Sequence, residues 1–203
     1  NDLGHALNSG SIDAVYVATP HPFHAEAVRT AVRAGKAVLC EKPLTPNAAT
    51  TSELIALAEQ HQTFLMEAVW TRFLPIYATV RRWLSEGRIG AVRSLQSRFC
   101  IDKPFSPNDR CHDPALAGGA LLDIGLYNIT VSRMMLNNAA IEDFDVTATL
   151  GPLGCDLRLA VQLRFSDGVI SQFICGFDGV ADNSFHIVGE RGHITVHDGF
   201  WQA

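Results

Sequence analysis

Three short apolar runs, separated by helical patterns, occupy the first 70 residues and leave few folds open. Residues 12–18 read IDAVYVA, β-branched and apolar on both faces, as a strand covered from two sides must be. HPFHAEAVRTAVRAG follows, with Ala25, Val28, Ala31 and Val32 at helical spacing and Gly35 placed to stop the helix. KAVLC is a second strand. Thr45 reads as a helix N-cap with Pro46 at the first helical position. That helix runs to about His61 and turns Leu54, Ile55, Leu57 and Ala58 inward. TFLMEA, residues 63–68, is a third strand. Strand–helix–strand–helix–strand with short connections requires right-handed crossovers and a parallel sheet.

Beyond Trp70 the pattern changes. LPIYATVRRWLSEGRIG reads as a helix stopped at Gly87, and AVRSLQSRF alternates like a strand with one wet face. A polar loop rich in Asp, Asn and Pro spans about residues 102–114. GGALLDIGLYNITVSRMML is a long helix that opens on glycines. From Asp143 onward FDVTATL, DLRLAVQLRF, VISQFICGF, SFHIVG and GHITVHDG read as strands separated by turns such as Ser166-Asp167-Gly168 and Glu190-Arg191-Gly192, which predicts a predominantly antiparallel sheet with helices on one face. The expected domains are residues 1–70, α/β, and residues 71–203, α+β. Met134, Met135, Phe99, Phe105 and Phe165 read as core or interface.

Composition narrows the partners. A 47% hydrophobic share over 203 residues supports a sizeable core. The net charge of −5, with no basic run longer than a pair, argues against nucleic acid. Uninterrupted apolar runs stay short of the about 18 residues of a membrane span, so no membrane association is expected. The first residues, NDLGHALNSG, have neither the basic nor the apolar segment of a secretory leader. Five scattered cysteines without a CxxC pair read as buried, reduced thiols of a cytoplasmic protein.

Open parallel sheets bind ligands outside the carboxyl ends of their strands. Three such ends are visible: Ala18-Thr19-Pro20-His21, Cys40-Glu41-Lys42-Pro43 and Glu67-Ala68-Val69-Trp70. Pro43 stiffens the second turn and biases Lys42 toward an extended backbone, so the lysine is either aimed at a ligand crevice or part of a solvated, salt-bridged turn. On the long helix Asp123 and Tyr127 lie four apart and share a face. They need partners there, either substrate or a structural hydrogen bond to the sheet. Gly118, Gly119 and Gly125 admit close approach of a backbone or ligand. Neither His21-Pro22-Phe23-His24 nor Cys111-His112-Asp113 has the convergent spacing of a zinc site, so no metal is expected. Asp198 and Trp201 either border a substrate pocket or are ordinary turn residues.

VYVATPHPFHAEAVRTAVRAGKAVLCEKPLTPNAA, LMEAVWTRFLP and AGGALLDIGLYNI together resemble the glucose–fructose oxidoreductase/inositol dehydrogenase family, in the branch of dimeric dihydrodiol dehydrogenases and NADP-dependent D-xylose dehydrogenases. The resemblance implies a partial Rossmann-type sheet, an NADP or NAD cofactor with NADP favoured, and a sugar, polyol or trans-dihydrodiol substrate oxidised at a carbinol. It implies catalytic roles for Lys42, Tyr127 and Asp123. It places Thr19, Pro20, His24, Glu41, Lys42, Pro43, Trp70 and Arg72 along the cofactor. It also implies a homodimer through the open face of the C-terminal sheet. On this reading the Lys42 ammonium and the Tyr127 phenol face each other across one cleft, and the cation favours the phenolate of a base otherwise too weak at neutral pH.

One departure stands out. No two of the 16 glycines are separated by a single residue, so the G-x-G of a dinucleotide fingerprint does not occur. The chain reads as an internal part of a longer protein, inactive alone. Two rival functions keep the same scaffold: a non-catalytic nucleotide sensor, which would not need the Lys42–Tyr127 pair, and an aldehyde or imine reductase using a tyrosine acid.

Overall fold

The computed structural model describes residues 3–8 and 11–202. They form two units: Asn1–Val69 with Ala115–Ala117, and Trp70–Pro114 with Gly118–Ala203.

In the first unit β1 (Ala14–Val17), β2 (Ala37–Glu41) and β3 (Leu65–Ala68) form a parallel sheet in that order. Val17 pairs with Cys40 and Glu41 with Ala68, so the carboxyl ends are level. The helices are α1 (Leu3–Asn8), α2 (His24–Arg33) and α3 (Ala48–Gln60). Val28, Ala31 and Val32 of α2 pack with Val17, Val38, Cys40, Leu54 and Ala58 in a single core. Gly35 ends the α2 turn at φ +69°, a left-handed conformation that glycine adopts without strain.

Two expectations for α3 are corrected. Its N-cap is Asn47, whose extended backbone lets its side chain accept the Thr50 N–H at 2.9 Å. The Thr45 hydroxyl is committed elsewhere, donating to Asn47 O at 2.7 Å and lying 2.7 Å from Thr51 Oγ1, so Pro46 falls in a bend before the helix. Ile55 is 47% exposed whereas Leu54 is fully buried. The covered stripe follows the four-residue step from Leu54 to Ala58, and one residue further round the helix already faces solvent.

The second unit holds a mixed sheet ordered β5-β6-β7-β4-β8-β9. Its strands are β4 (Val92–Cys100), β5 (Ile141–Leu150), β6 (Asp156–Phe165), β7 (Ile170–Gly176), β8 (Phe185–Gly189) and β9 (His193–Val196). Most pairs are antiparallel, but β4 runs parallel to β7 because it enters between β7 and β8. Its helices are α4 (Pro75–Ser85) and α5 (Leu126–Met135). Leu95 and Phe99 of β4, Val161 and Phe165 of β6, and Phe173 and Cys175 of β7 alternate with exposed residues and meet Val131, Met134 and Met135 of α5. Residues 114–135 are apolar enough to cross a membrane by length and composition, yet α5 is the helix that covers this sheet. Two buried polar pairs tie it down: Asn128 Nδ2–H donates to Ser97 Oγ at 2.8 Å, and Ser132 lies 2.9 Å from Ser171, hydroxyl to hydroxyl.

Candidate active site

In the first unit the sequence-predicted residues Thr19, Pro20, His24, Glu41, Lys42 and Pro43 gather at the level carboxyl ends of β1 and β2. His24 organises them. Its ring is fully buried, with Nδ1 2.9 Å from Pro43 O and Nε2 2.7 Å from Thr19 O. One side chain therefore clamps the turn after β1 to the turn after β2. The Lys42–Pro43 peptide is cis. Glu41 accepts the Lys42 backbone N–H at 3.2 Å and the Tyr16 hydroxyl, and the contact with Glu41 raises the phenol pKa of Tyr16. Glu67, at the end of β3, accepts the Leu44 N–H at 2.8 Å and so fixes the far side of the Lys42 turn. Beneath this rim, burial and then Glu67 and Glu41 push the Cys40 thiol up to about 12, which keeps it protonated and inert.

The second unit carries Trp70, Arg72, Asp123 and Tyr127. Trp70 and Arg72 lie on a 3₁₀ turn, Trp70–Phe73, whose buried Thr71 donates its hydroxyl to Trp201 O at 2.7 Å. The Trp70 indole N–H donates to the Tyr127 hydroxyl oxygen at 3.0 Å. The Tyr127 ring is 7% exposed and leans on Phe99 with centroids 5.7 Å apart; Phe99 in turn stacks on Trp201 at 3.7 Å.

Asp123 falls in a π-helical turn, Leu121–Gly125, that leads into α5. Three glycines explain the turn. A Cβ on Gly118 would lie 2.6 Å from Arg110 O, and one on Gly125 2.9 Å from Cys175 Sγ. Gly119 adopts φ +124° beside Asp156, whose carboxylate accepts the Leu121 N–H at 2.7 Å. The backbone of residues 110–111 thus lies directly against the helix start, which brings Arg110 to Asp123 at 3.2 Å. Burial lowers the pKa of Arg110, but Asp123 and then Cys111 outweigh it, so the guanidinium stays charged. Cys111, its thiol raised to about 12 mainly by burial, donates S–H to the other Asp123 oxygen at 3.5 Å.

Arg110 was missed by sequence reasoning. It lies 13 residues before Asp123 in a loop without periodicity, and only the glycine pair hints that a backbone segment approaches there. Trp201 proves to anchor the Trp70 turn through its carbonyl. Of the core assignments, Phe99, Phe165, Met134 and Met135 are buried, whereas Phe105 is 44% exposed with its edge on His112. Among the described residues no three His, Cys, Asp or Glu side chains gather as metal ligands.

The strand-end turns on a parallel sheet, and an acid and a phenol at a glycine-opened helix start, are features of a dinucleotide-dependent oxidoreductase. Comparison with known proteins agrees. Residues 1–69 match the oxidoreductase family with an NAD-binding Rossmann fold, and residues 77–195 match the GFO/IDH/MocA C-terminal domain. The chain belongs to the GFO/IDH/MocA oxidoreductase family. It is 36% identical over 186 residues to trans-1,2-dihydrobenzene-1,2-diol dehydrogenase of Mus musculus, covering 92% of this chain and 55% of that protein. The chain thus spans about half the length of the curated relatives it matches. A 3-ketoreductase from Actinomadura kijaniata, solved with NADP and TDP-benzene, superposes with a TM-score of 0.88 at 32% identity over 97% of this chain and 60% of its own. A protein of gentamicin A biosynthesis, solved with NAD, does so with a TM-score of 0.89 at 25% identity over 97% and 58%.

Proposed function

We propose that the whole protein is an NAD(P)-dependent dehydrogenase that oxidises a carbinol of a sugar, polyol or trans-dihydrodiol. The reading rests above all on one observation: two successive stretches of the chain, residues 1–69 and 77–195, match in order the dinucleotide-binding and C-terminal parts of a single oxidoreductase family. The level carboxyl ends of β1–β3 suit a dinucleotide, which binds such sheets there. Thr19, Pro20, Glu41, Lys42 and Pro43 hold its nicotinamide–ribose end, with His24 acting through the two turns that it clamps. Trp70 and Arg72, on the turn that opens the second unit, are further cofactor-binding residues on this reading. When bound, the nicotinamide supplies the hydride acceptor. NADP is the preferred form.

Tyr127 takes the proton from the carbinol oxygen as general base and returns it in the reverse direction. Lys42 favours the phenolate electrostatically, since a nearby cation stabilises the charged form of an acid. Asp123 accepts a substrate hydroxyl while Arg110, 3.2 Å away, holds its carboxylate in place. The protein works as a homodimer through the outer face of the β5–β9 sheet, where Ile170, Ile174 and Val188 are exposed among Gln96, Gln162 and Gln172. A reducing compartment, the cytoplasm, suits its five buried free thiols.

The test is reduction of NADP⁺ and NAD⁺ by the whole protein with xylose, glucose and a trans-dihydrodiol. Tyr127→Phe loses about 10²–10⁴-fold in kcat, the usual weight of a general base. Full turnover by Lys42→Met would refute the proposed pair. Sedimentation showing only monomer would remove the dimer.

A further inference from the structure

The chain has three tyrosines, and two of them donate their hydroxyls to an oxygen acceptor. Tyr16 donates to Glu41, and the buried Tyr77 donates to Phe200 O at 2.6 Å. A phenol that donates is held in its neutral form. Both are raised in pKa, for different reasons: Tyr16 first by its bond to Glu41, Tyr77 by burial. The Tyr127 oxygen accepts the Trp70 indole N–H at 3.0 Å. An indole nitrogen can only donate, so this contact has a fixed polarity. A donor aimed at a phenol oxygen strengthens as that oxygen gains charge, which favours the phenolate.

The donor is also fixed in place. Thr71, fully buried beside Trp70, ties the turn to Trp201 O, and the Phe99 ring packs against Tyr127 from another side. The proposed function explains what this geometry is for, and the inference rests on that reading. We propose that Trp70 is a positioning residue for proton transfer: its indole N–H orients the Tyr127 hydroxyl and stabilises the phenolate that accepts the substrate proton.

Other charged groups on the packed elements are few. Asp123, a turn earlier, is paired with Arg110. Arg72 shares the Trp70 turn. On β4, Arg93 and Arg98 are paired with Glu190 and Asp182, and on α4 Arg81 and Arg82 are exposed. Replacing Trp70 alters none of these charges, so a change in Tyr127 titration reads the lost N–H.

The experiment labels the whole protein with [¹³Cζ]tyrosine and follows the resonances of Tyr16, Tyr77 and Tyr127 against pH, each assigned by its Tyr→Phe variant, with Tyr16 and Tyr77 serving as internal references. Trp70→Phe raises the Tyr127 midpoint by about one pH unit, equivalent to about tenfold less phenolate at a given lower pH. The ascending limb of kcat/KM for alcohol oxidation moves up by the same amount. Where Trp70→Phe fails to fold, β-(3-benzothienyl)alanine at position 70 preserves the shape, replaces N–H by sulfur and moves the midpoint in the same direction. A Tyr127 resonance that titrates at the parent pH in the folded variant overturns the proposal, because a merely structural tryptophan would leave it there. The two readings fail separately: an unmoved midpoint with turnover intact removes only the role of Trp70. Absence of NAD(P)⁺ reduction with every alcohol removes the dehydrogenase and the catalytic purpose assigned to Trp70, whatever the midpoint does.

Discussion

The turns after β1 and β2 and the start of α5 both present polar side chains at the end of an element, but they are held by opposite means. In the first unit one buried ring reaches two backbone carbonyls, so His24 fixes where Thr19 and Pro43 sit whatever side chains follow. In the second unit side chains hold one another: Arg110 and Cys111 on Asp123, Trp70 on Tyr127. The first arrangement sets position; the second sets charge and proton affinity. A change in the first should therefore appear as altered stability and exchange, and a change in the second as altered titration.

The largest effect expected is that of His24→Ala. It empties a buried site and strands two carbonyls, which should destabilise by about 3 kcal/mol. Urea unfolding reads the loss, and amide exchange at Thr19 and Leu44 reads its location. Unchanged protection at those amides would break the contrast, because the ring would then not be what joins the turns.

Gly118→Ala tests the ground under the second arrangement. The new Cβ meets the carbonyls of Arg110 and Cys111, which are backbone and cannot rotate away. A cost of about 1–3 kcal/mol is expected. Displacing the 110–111 backbone should also lengthen the Arg110–Asp123 pair. A crystal structure of the variant with that pair intact would show that the glycine does not govern it.

The same contrast explains what could be read in advance. The first unit's elements follow from periodicity and punctuation within ten or fifteen residues: β-branched runs, Gly35 at positive φ, Pro43 after the strand. Errors there were local competitions, such as the Thr45 hydroxyl being engaged by Asn47 O and Thr51 before it could cap α3. In the second unit the informative contacts join residues far apart in the chain. Trp70 and Tyr127 are 57 residues apart, and the Asp156 carboxylate that caps Leu121 comes from a strand 35 residues on. No pattern in a window announces such pairs. Nor could local alternation reveal that β4 slips in beside β7 and makes one parallel pair within an otherwise antiparallel sheet. Asp123 and Tyr127 could be singled out from the sequence as an acid and a phenol in an apolar helical run, while the π turn that carries Asp123, Arg110 beside it and the donor on Tyr127 needed coordinates.

Acid should separate the arrangements further. Asp109, in the loop that carries Arg110, is bonded to Lys103 at 2.7 Å and accepts the Cys111 N–H at 2.9 Å. Lys103 first, and that N–H next, hold its carboxyl down to about 2, against 3.8 ordinarily. Because the folded value is the lower one, the stabilisation is present above about pH 4 and is lost as pH falls toward 2. About 1–2 kcal/mol is at stake after allowance for screening. Asp109→Asn should remove that part of the acid dependence of unfolding. An unaltered profile would mean that the Lys103 pair does not stabilise the loop.

The smallest effect sharpens the comparison within the first unit, since the α3 start is also held by a side chain on backbone. Asn47 caps the Thr50 N–H at 2.9 Å from an extended conformation, φ −147° and ψ 154°. Asn47→Ala should cost about 1 kcal/mol, whereas Asn47→Asp should be nearly neutral, because either carboxylate or amide oxygen can accept that bond. If Thr45 and Pro46 began the helix instead, Asn47 would lie in its first turn and the two variants would differ little from the parent or from each other. Chemical unfolding of the pair distinguishes the cases, because the cap requires an oxygen at position 47 and the earlier start does not.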